Sequence, residues 1–216
     1  MTSTQYHHGN LREALVNAAV DAVRESGPQG LALRELARRV GVSHNAAYRH
    51  FADREALVEV VADQALTELV ATIHARLAAQ TQSDPVVLAR RRLMAIGAGY
   101  VEFALAQPGL FRLLFTAYPD APDQKTNSAD PYGMLNVALD DLVAAGYLAA
   151  SDRPGADVTC WSAVHGFAVL NIEGPLRGLT TTERAEALEA VLSGIDRGLG
   201  AVNEPVESDT AVPPRL

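Results

Sequence analysis

Residues 53–82 contain neither glycine nor proline. Apolar side chains recur through this stretch at Leu57, Val60, Val61, Leu66, Leu69, Val70, Ile73 and Leu77, the spacing that gathers them on one stripe of an α-helix. A continuous helix here spans about 40 Å at 1.5 Å per residue. A rod of that length needs partners of its own kind, and the flanking sequence supplies them.

Upstream, Asn10 with Glu13 at the third helical position has the form of a capping box. Leu11, Leu15, Ala18, Ala19 and Ala22 line one face of that first helix, and Gly27-Pro28 stops it. Leu33, Leu36, Ala37 and Val40 give a short second helix. Gly41-Val42 makes a tight turn, and Ser43 caps a third helix running to about His50. Asp53 caps the long fourth. Asp84-Pro85 opens a fifth by the N-cap and N1-proline rule, ending near Gln107 ahead of Pro108 and a short apolar segment at 110–115. Residues 118–131 read as a polar, proline-rich loop. Further helices are expected over 131–145, 154–173 and 182–199, with Gly146, Gly174-Pro175 and Gly200 at their ends. No strand-like alternation stands out. The expectation is an all-α fold of about nine helices. A three-helix head occupies 1–54, a larger helical body 55–202, and a disordered polar tail 203–216.

Charge divides the chain along the same line. The whole sequence carries 18 basic and 26 acidic residues, a net charge of −8. Residues 1–54 hold seven Arg against five acids, a net of +2, so the remainder is at −10. Four of the six histidines also lie in this head. A small basic module on an acidic body suits contact with a polyanion at one end only. The single cysteine excludes an internal disulfide and fits a reducing, cytoplasmic setting. No apolar run approaches the roughly 18 residues of a membrane span, and the N-terminus lacks a signal-type apolar core. No membrane partner is therefore expected.

Residues 30–57 read GLALRELARRVGVSHNAAYRHFADREAL. Two short helices joined by a turn containing glycine form a helix-turn-helix arrangement, whose second helix presents polar groups to base edges. His44 and Asn45 hold that place, and an asparagine pairs bidentately with adenine. Ser43, Tyr48 and His50 suit phosphate contacts that fix register, with Arg34 and Arg54 as further candidates. The same spacing also describes a plain three-helix core with Tyr48 and Phe51 buried.

This stretch resembles the helix-turn-helix of the tetracycline-repressor (TetR/AcrR) family. The match lies in the Gly41-Val42-Ser43 turn, then Tyr48-x-His50-Phe51, then Arg54-Glu55-x-Leu57. The opening YHHGNLR at 6–12, the FALAQPGLFRLLF stretch at 103–115 and Trp161-Ser-Ala-Val-His165-Gly166 resemble one branch, known for a Trp/His-Gly signature in its C-terminal domain. Departures exist. Ala32 stands where the family has a Ser or Thr cap, a loss of about 1 kcal/mol. Asn45 and Ala47 stand where the branch often has Gly and Pro, so no relative's operator transfers. Arg54 replaces the usual Lys. The resemblance implies a homodimeric repressor whose helical body binds a small ligand and thereby moves the heads off a palindromic operator. The alternative is a helical small-molecule-binding or protein-interaction module without DNA binding.

In the body, residues 156–173 are apolar around most of a helix, which therefore needs cover on more than one side. A central helix of a monomeric bundle and a helix shared with a second subunit both satisfy this. The resemblance implies the second, through the last two main helices, with Phe167, Leu188, Leu192 and Ile195 as interface candidates. Met94, Tyr100, Phe103, Phe111, Phe115, Tyr118, Trp161 and His165 are candidate pocket residues for a small, largely apolar effector. The cluster 90–92 of three arginines reads as a solvated face. Catalytic and metal constellations are not found. Cys160 and His165 lie about 140° apart on a helix, Ser162 and His165 lack an orienting carboxylate, and Gly97-Ala-Gly99 lacks the third glycine of a dinucleotide loop. No cofactor, metal or enzyme activity is expected.

Overall fold

Several helices begin where a side-chain oxygen replaces the missing carbonyl partner of an early amide. Ser43, Asp53, Asp84 and Asp130 accept from the backbone N–H groups of Ala46, Ala56, Val87 and Gly133, which satisfies one orphan donor each. In this computed structural model residues 11–117 and 130–200 are described. Among them lie nine α-helices and two 3-10 turns, and no strand. The helices are α1 (Leu11–Ser26), α2 (Leu33–Val40), α3 (His44–Tyr48), α4 (Arg54–Ala78), α5 (Pro85–Ala106), α6 (Pro108–Ala117), α7 (Pro131–Ala144), α8 (Ala156–Ile172) and α9 (Thr181–Gly200). Asn10, His7, His8, Tyr118, most of the 118–131 loop and the tail at 203–216 lie outside the described residues.

Two boundaries differ from expectation. The long helix stops at Ala78 rather than near Gln82, because the polar run after it has no apolar stripe to bury. Its 25 residues still make a rod of about 37 Å. The apolar segment at 110–115 is a full helix, α6, with Pro108 at its first turn, a position where the missing N–H costs nothing.

One continuous cluster of buried side chains runs from Leu11 in α1 to Ala168 in α8, so head and body share a core. α5 sits at its centre, in contact with α4, α6, α7, α8 and α9. Gly99 lets α4 approach its backbone: a Cβ there would stand 2.9 Å from the Cα of Ile73. Gly97, one turn-face away, admits Leu192 of α9 at 2.9 Å from the same hypothetical atom. Gly97 and Gly99 thus serve packing, not phosphate binding. A third close approach joins head to body, since a Cβ on Gly109 of α6 would fall 2.1 Å from the Val23 carbonyl oxygen of α1. Beside it Arg24 donates to both Glu68 oxygens at 3.0 Å and to Gln107 at 3.2 Å, tying α1 to α4 and to the start of α6.

α9 has no buried residue. It leans on the core through partly buried Leu188, Val191, Leu192, Ile195 and Leu199. Arg90 of α5 grips it with a two-pronged pair to Asp196 at 2.9 and 2.5 Å, under the ring of Tyr147 at 4.6 Å. The 90–92 cluster is therefore no mere solvated face: Arg92 also reaches Asp141 at 3.7 Å. The Arg90 pairing holds the Asp196 carboxyl below the usual carboxylate range.

Gly109→Ala should lose about 1–3 kcal/mol in a urea melt, as overpacked interiors do. Gly178→Ala, where a Cβ meets nothing within 4 Å, should leave the midpoint unchanged. Ala32 caps α2 in extended conformation with no side-chain hydrogen bond, so Ala32→Ser should raise stability by about 1 kcal/mol in the same melts.

Candidate functional sites

The turn between α2 and α3 is fixed by backbone geometry. Gly41 takes φ 77°, the left-handed conformation, and no neighbour lies within 4 Å of where its Cβ would be, so glycine serves the torsion alone. Its N–H bonds back to α2 and the Val42 N–H reaches the Ala37 carbonyl at 2.9 Å, the paired closure of a Schellman motif. α3 is pinned from beneath by fully buried Ala47, with Phe51 just beyond it and the Arg12 guanidinium over the Phe51 ring at 5.2 Å.

That anchoring leaves the opposite side of α3 facing outward. Asn45, Tyr48 and His50 are exposed and His44 is half-buried, its ring edge-on to Tyr48 at 4.4 Å. Ser43 accepts the Ala46 N–H at 3.2 Å, which spends a lone pair and leaves its O–H free to donate. Not every arginine nearby is available. Arg38 pairs with Glu35, and Arg39 with Glu25 and Glu35. Arg34 and Arg49 are exposed with no ion pair among the described residues.

Arg54 is a correction. Its Nε donates to the Leu31 carbonyl at 3.2 Å and its Nη2 to the Pro28 carbonyl at 3.1 Å. The guanidinium staples the start of α4 to the turn before α2, and its outward reach to phosphate is reduced accordingly. Arg49, which sequence reasoning passed over, is the better-placed cation. It stands between Tyr48 and His50 at the C-cap of α3, a place no helical wheel marks as outward.

The body holds a half-open cavity of about 700 Å³. Every helix from α4 to α9 contributes to its wall: Leu66 and Leu69, Met94 and Tyr100, Leu114 and Phe115, Tyr132 and Leu135, Cys160 and Trp161, Leu192 and Ile195. Of the expected pocket residues, Met94, Tyr100, Phe115 and Trp161 line it. Phe103 and Phe111 do not. Phe103 is buried one turn beyond Tyr100 on α5, outside the lining, and Phe111 packs edge-on to Tyr100 and Phe115 in the layer behind the wall. His165 stands in that layer too, beside a second, small cavity of about 100 Å³. Its Nδ1 lies 3.0 Å from the Tyr100 hydroxyl, which also accepts the Trp161 indole N–H at 3.3 Å.

Burial raises the Tyr100 phenol well above its ordinary range and lowers His165, so both are neutral near pH 7. Burial also pushes the Cys160 thiol up to about 11. Tyr132 donates to Asp157 and meets Trp161 edge-on at 5.5 Å. Tyr132 and Cys160 were missed: only their neighbours, a helix-opening proline and a tryptophan, hinted at them.

The interface candidates also need correcting. Phe167 is 5% exposed in the single chain, so its ring belongs to the interior. Leu192 and Ile195 turn toward the cavity, and Leu188 packs partly buried against the core. What α8 and α9 leave uncovered is different. Val158, Ser162 and Leu170 are exposed, and the Cβ positions of Gly166, Gly194 and Gly198 meet nothing within 4 Å.

No helix of the described residues is long and apolar enough to cross a membrane. Two family models match the chain: residues 15–61 match the bacterial regulatory proteins of the tetR family, and residues 93–195 match the tetracyclin repressor-like C-terminal domain. The second description carries no Trp/His-Gly branch, although its span includes Trp161 and His165. Among curated relatives, the class C tetracycline repressor of Escherichia coli is 39% identical over 56 residues, covering 26% of each chain. The BetI regulator of Yersinia pestis is 32% identical over 88 residues, 41% of this chain and 42% of BetI. The chain thus matches well under half the length of these relatives. Among solved structures, a Rhodococcus sp. RHA1 protein of unknown function is 30% identical, with TM-score 0.73 over 92% of this chain and 100% of the other. A TetR variant from Acinetobacter baumannii AYE in complex with minocycline has TM-score 0.57 at 18% identity, over 90% and 97% of the two chains.

The two arginines should separate in experiment. Arg49→Ala, at an exposed side chain with no ion pair among the described residues, should leave the melting midpoint unchanged. Arg54→Ala should instead lower stability by about 1 kcal/mol, the worth of charge-assisted bonds at a half-exposed site.

Proposed function

Since the chain belongs to the tetR family of bacterial regulatory proteins, we propose that it is a cytoplasmic, homodimeric, ligand-responsive transcriptional repressor that binds a palindromic operator. The observation that carries this reading is α3. Buried on one side by Ala47 and capped by Ser43, it turns Asn45, Tyr48 and His50 outward, a polar face that a plain three-helix core would not need. Asn45 and His44 read bases; Ser43, Tyr48, His50, Arg34 and Arg49 hold phosphates. The cavity takes the effector, as minocycline sits in complex with the Acinetobacter protein. Catalysis has no support here: Cys160 is protonated, and His165 faces Tyr100 rather than a nucleophile.

The second subunit docks on the uncovered stripe of α8 and α9, where Gly166, Gly194 and Gly198 permit close helix approach. Two routes then connect cavity and head. α4 lines the cavity with Leu66 and Leu69 and begins at the head; α6 lines it with Leu114 and Phe115 and meets α1 through Gly109. A two-fold operator requires recognition helices about 34 Å apart. An occupant that moves α4 or α6 changes that spacing in both heads at once, and linkage makes operator weaken ligand by the same factor.

A gel shift against intergenic DNA beside the protein's own gene tests the reading; absence of any retarded palindrome there, and in a random-sequence selection, would refute it. In such a selection Asn45→Ala should change the preferred bases rather than the overall affinity. Sedimentation should give a dimer of about 46 kDa, twice the 23.0 kDa chain. Leu170→Glu, at a side chain 43% exposed in the single chain, should fold normally yet dissociate at least about tenfold more readily, 1.4 kcal/mol.

A further inference from the structure

The polar groups of the large cavity restrict what it accepts more sharply than its apolar lining does. Four side-chain donors reach its wall among the described residues: Tyr100, Tyr132, Trp161 and Cys160. Three are already spent. The Trp161 N–H goes to the Tyr100 oxygen, and the Tyr132 O–H goes to Asp157. The Tyr100 O–H faces His165 Nδ1. A phenol is the stronger donor of that pair and a neutral imidazole nitrogen the stronger acceptor, so the proton lies on Tyr100 and points at His165. The fourth donor is a protonated thiol, and a weak one.

Acceptors, by contrast, remain open. The Tyr100 oxygen has two lone pairs and Trp161 uses one. Asp130 gives one oxygen to the Gly133 N–H at 2.8 Å, and the other has no partner among the described residues. Asp130 is also the sole charged residue on the wall among the described residues; neither Lys nor Arg lines it. A carboxylate or phosphate seated against this wall would find no cation and no free strong side-chain donor among the described residues. A ketone would leave its oxygen unpaired, which costs about 1–3 kcal/mol. A hydroxyl would meet the open lone pair of Tyr100.

On the reading that this cavity is the effector site, we propose that its occupant is a largely apolar molecule whose polar group is a hydrogen-bond donor, an alcohol or phenol seated on the Tyr100 oxygen, and that carboxylates are disfavoured. Trp161 is the single tryptophan of the chain and stands in this wall, so its fluorescence reports occupancy directly. The probes are 1-decanol, 2-decanone and decanoate, one chain length with a donor, an acceptor and a charge, titrated at pH 7.5 into the full-length protein.

The expected result is that 1-decanol shifts Trp161 emission at a concentration at least about tenfold below that of either other probe, a difference of about 1.4 kcal/mol. Decanoate or 2-decanone binding as tightly as the alcohol would overturn the donor rule while leaving the cavity a ligand site. No response to any of the three would overturn the effector-site reading and this proposal with it. Tyr100→Phe adds an independent check. It removes the open acceptor and frees the Trp161 N–H, so the alcohol-over-ketone preference should fall to about one or invert; an undiminished preference would overturn the assignment to Tyr100. Should that variant not fold, the ranking of the three probes on the parent protein decides alone.

Discussion

Everything in the body is arranged around the close approach of two helices to α5. Gly99 lets the α4 backbone come in against α5, and Gly97 lets Leu192 of α9 settle on the same helix. A Cβ at Gly99 would meet the Ile73 backbone, which cannot yield, whereas one at Gly97 would meet the end of the Leu192 side chain, which can turn aside. α4 begins in the head and α9 ends the described chain, so one helix with two glycines sets the position of both. The head follows from the same rule, since Gly109 brings α6 onto the Val23 carbonyl of α1. Three small residues fix the relation of head, central helix and last helix.

The cavity is the complement of those contacts. At Gly99 the α4 backbone touches α5; along the Met94, Gly97 and Tyr100 face the surrounding helices leave space, walled further by α6, α7 and α8. The Trp161, Tyr100 and His165 chain of hydrogen bonds then satisfies the polar atoms that such an apolar wall would otherwise strand, as buried polar groups require. Wall and support are distinct layers: Phe111 and His165 hold Tyr100 and Phe115 from behind.

How much of this was legible depended on whether the information was local. The caps at Ser43, Asp53 and Asp84, the stop at Gly27-Pro28 and the tight turn at Gly41 are matters of a few neighbouring residues, and they were legible. Side-chain destinations across the fold are not local. Arg54 was read as a phosphate contact because it is basic and near the recognition segment; the carbonyls it binds lie 23 and 26 residues earlier. Arg90 finds Asp196 across 106 residues. The aromatic-rich stretch was seen as one set, yet Phe103, one helical turn beyond Tyr100 and about 60° round from it, is buried outside the lining while Tyr100 stands in it. Gly97 and Gly99 looked like a failed loop motif because nothing in the sequence says which helices lie above them. Phe167 was assigned to a subunit interface for the same reason: its helix is apolar all round, and only the packing tells its inner face from its outer one.

α9 carries no buried residue and is fastened by the Arg90–Asp196 pair, by hydrogen bonds from Tyr147 to the Asp196 carbonyl and from Arg184 to Asn171 of α8, and by a row of half-covered aliphatic side chains. Segments with so little of their own buried surface open first and at low free energy. Yet Leu192 and Ile195 of this helix are also cavity wall. In the isolated chain α9 is therefore weakly held, and the second subunit proposed to dock along α8 and α9 would supply the cover it lacks. Because Leu192 and Ile195 belong to that same helix and to the cavity wall, an occupant pressing on them would act on the subunit interface as well as on the head.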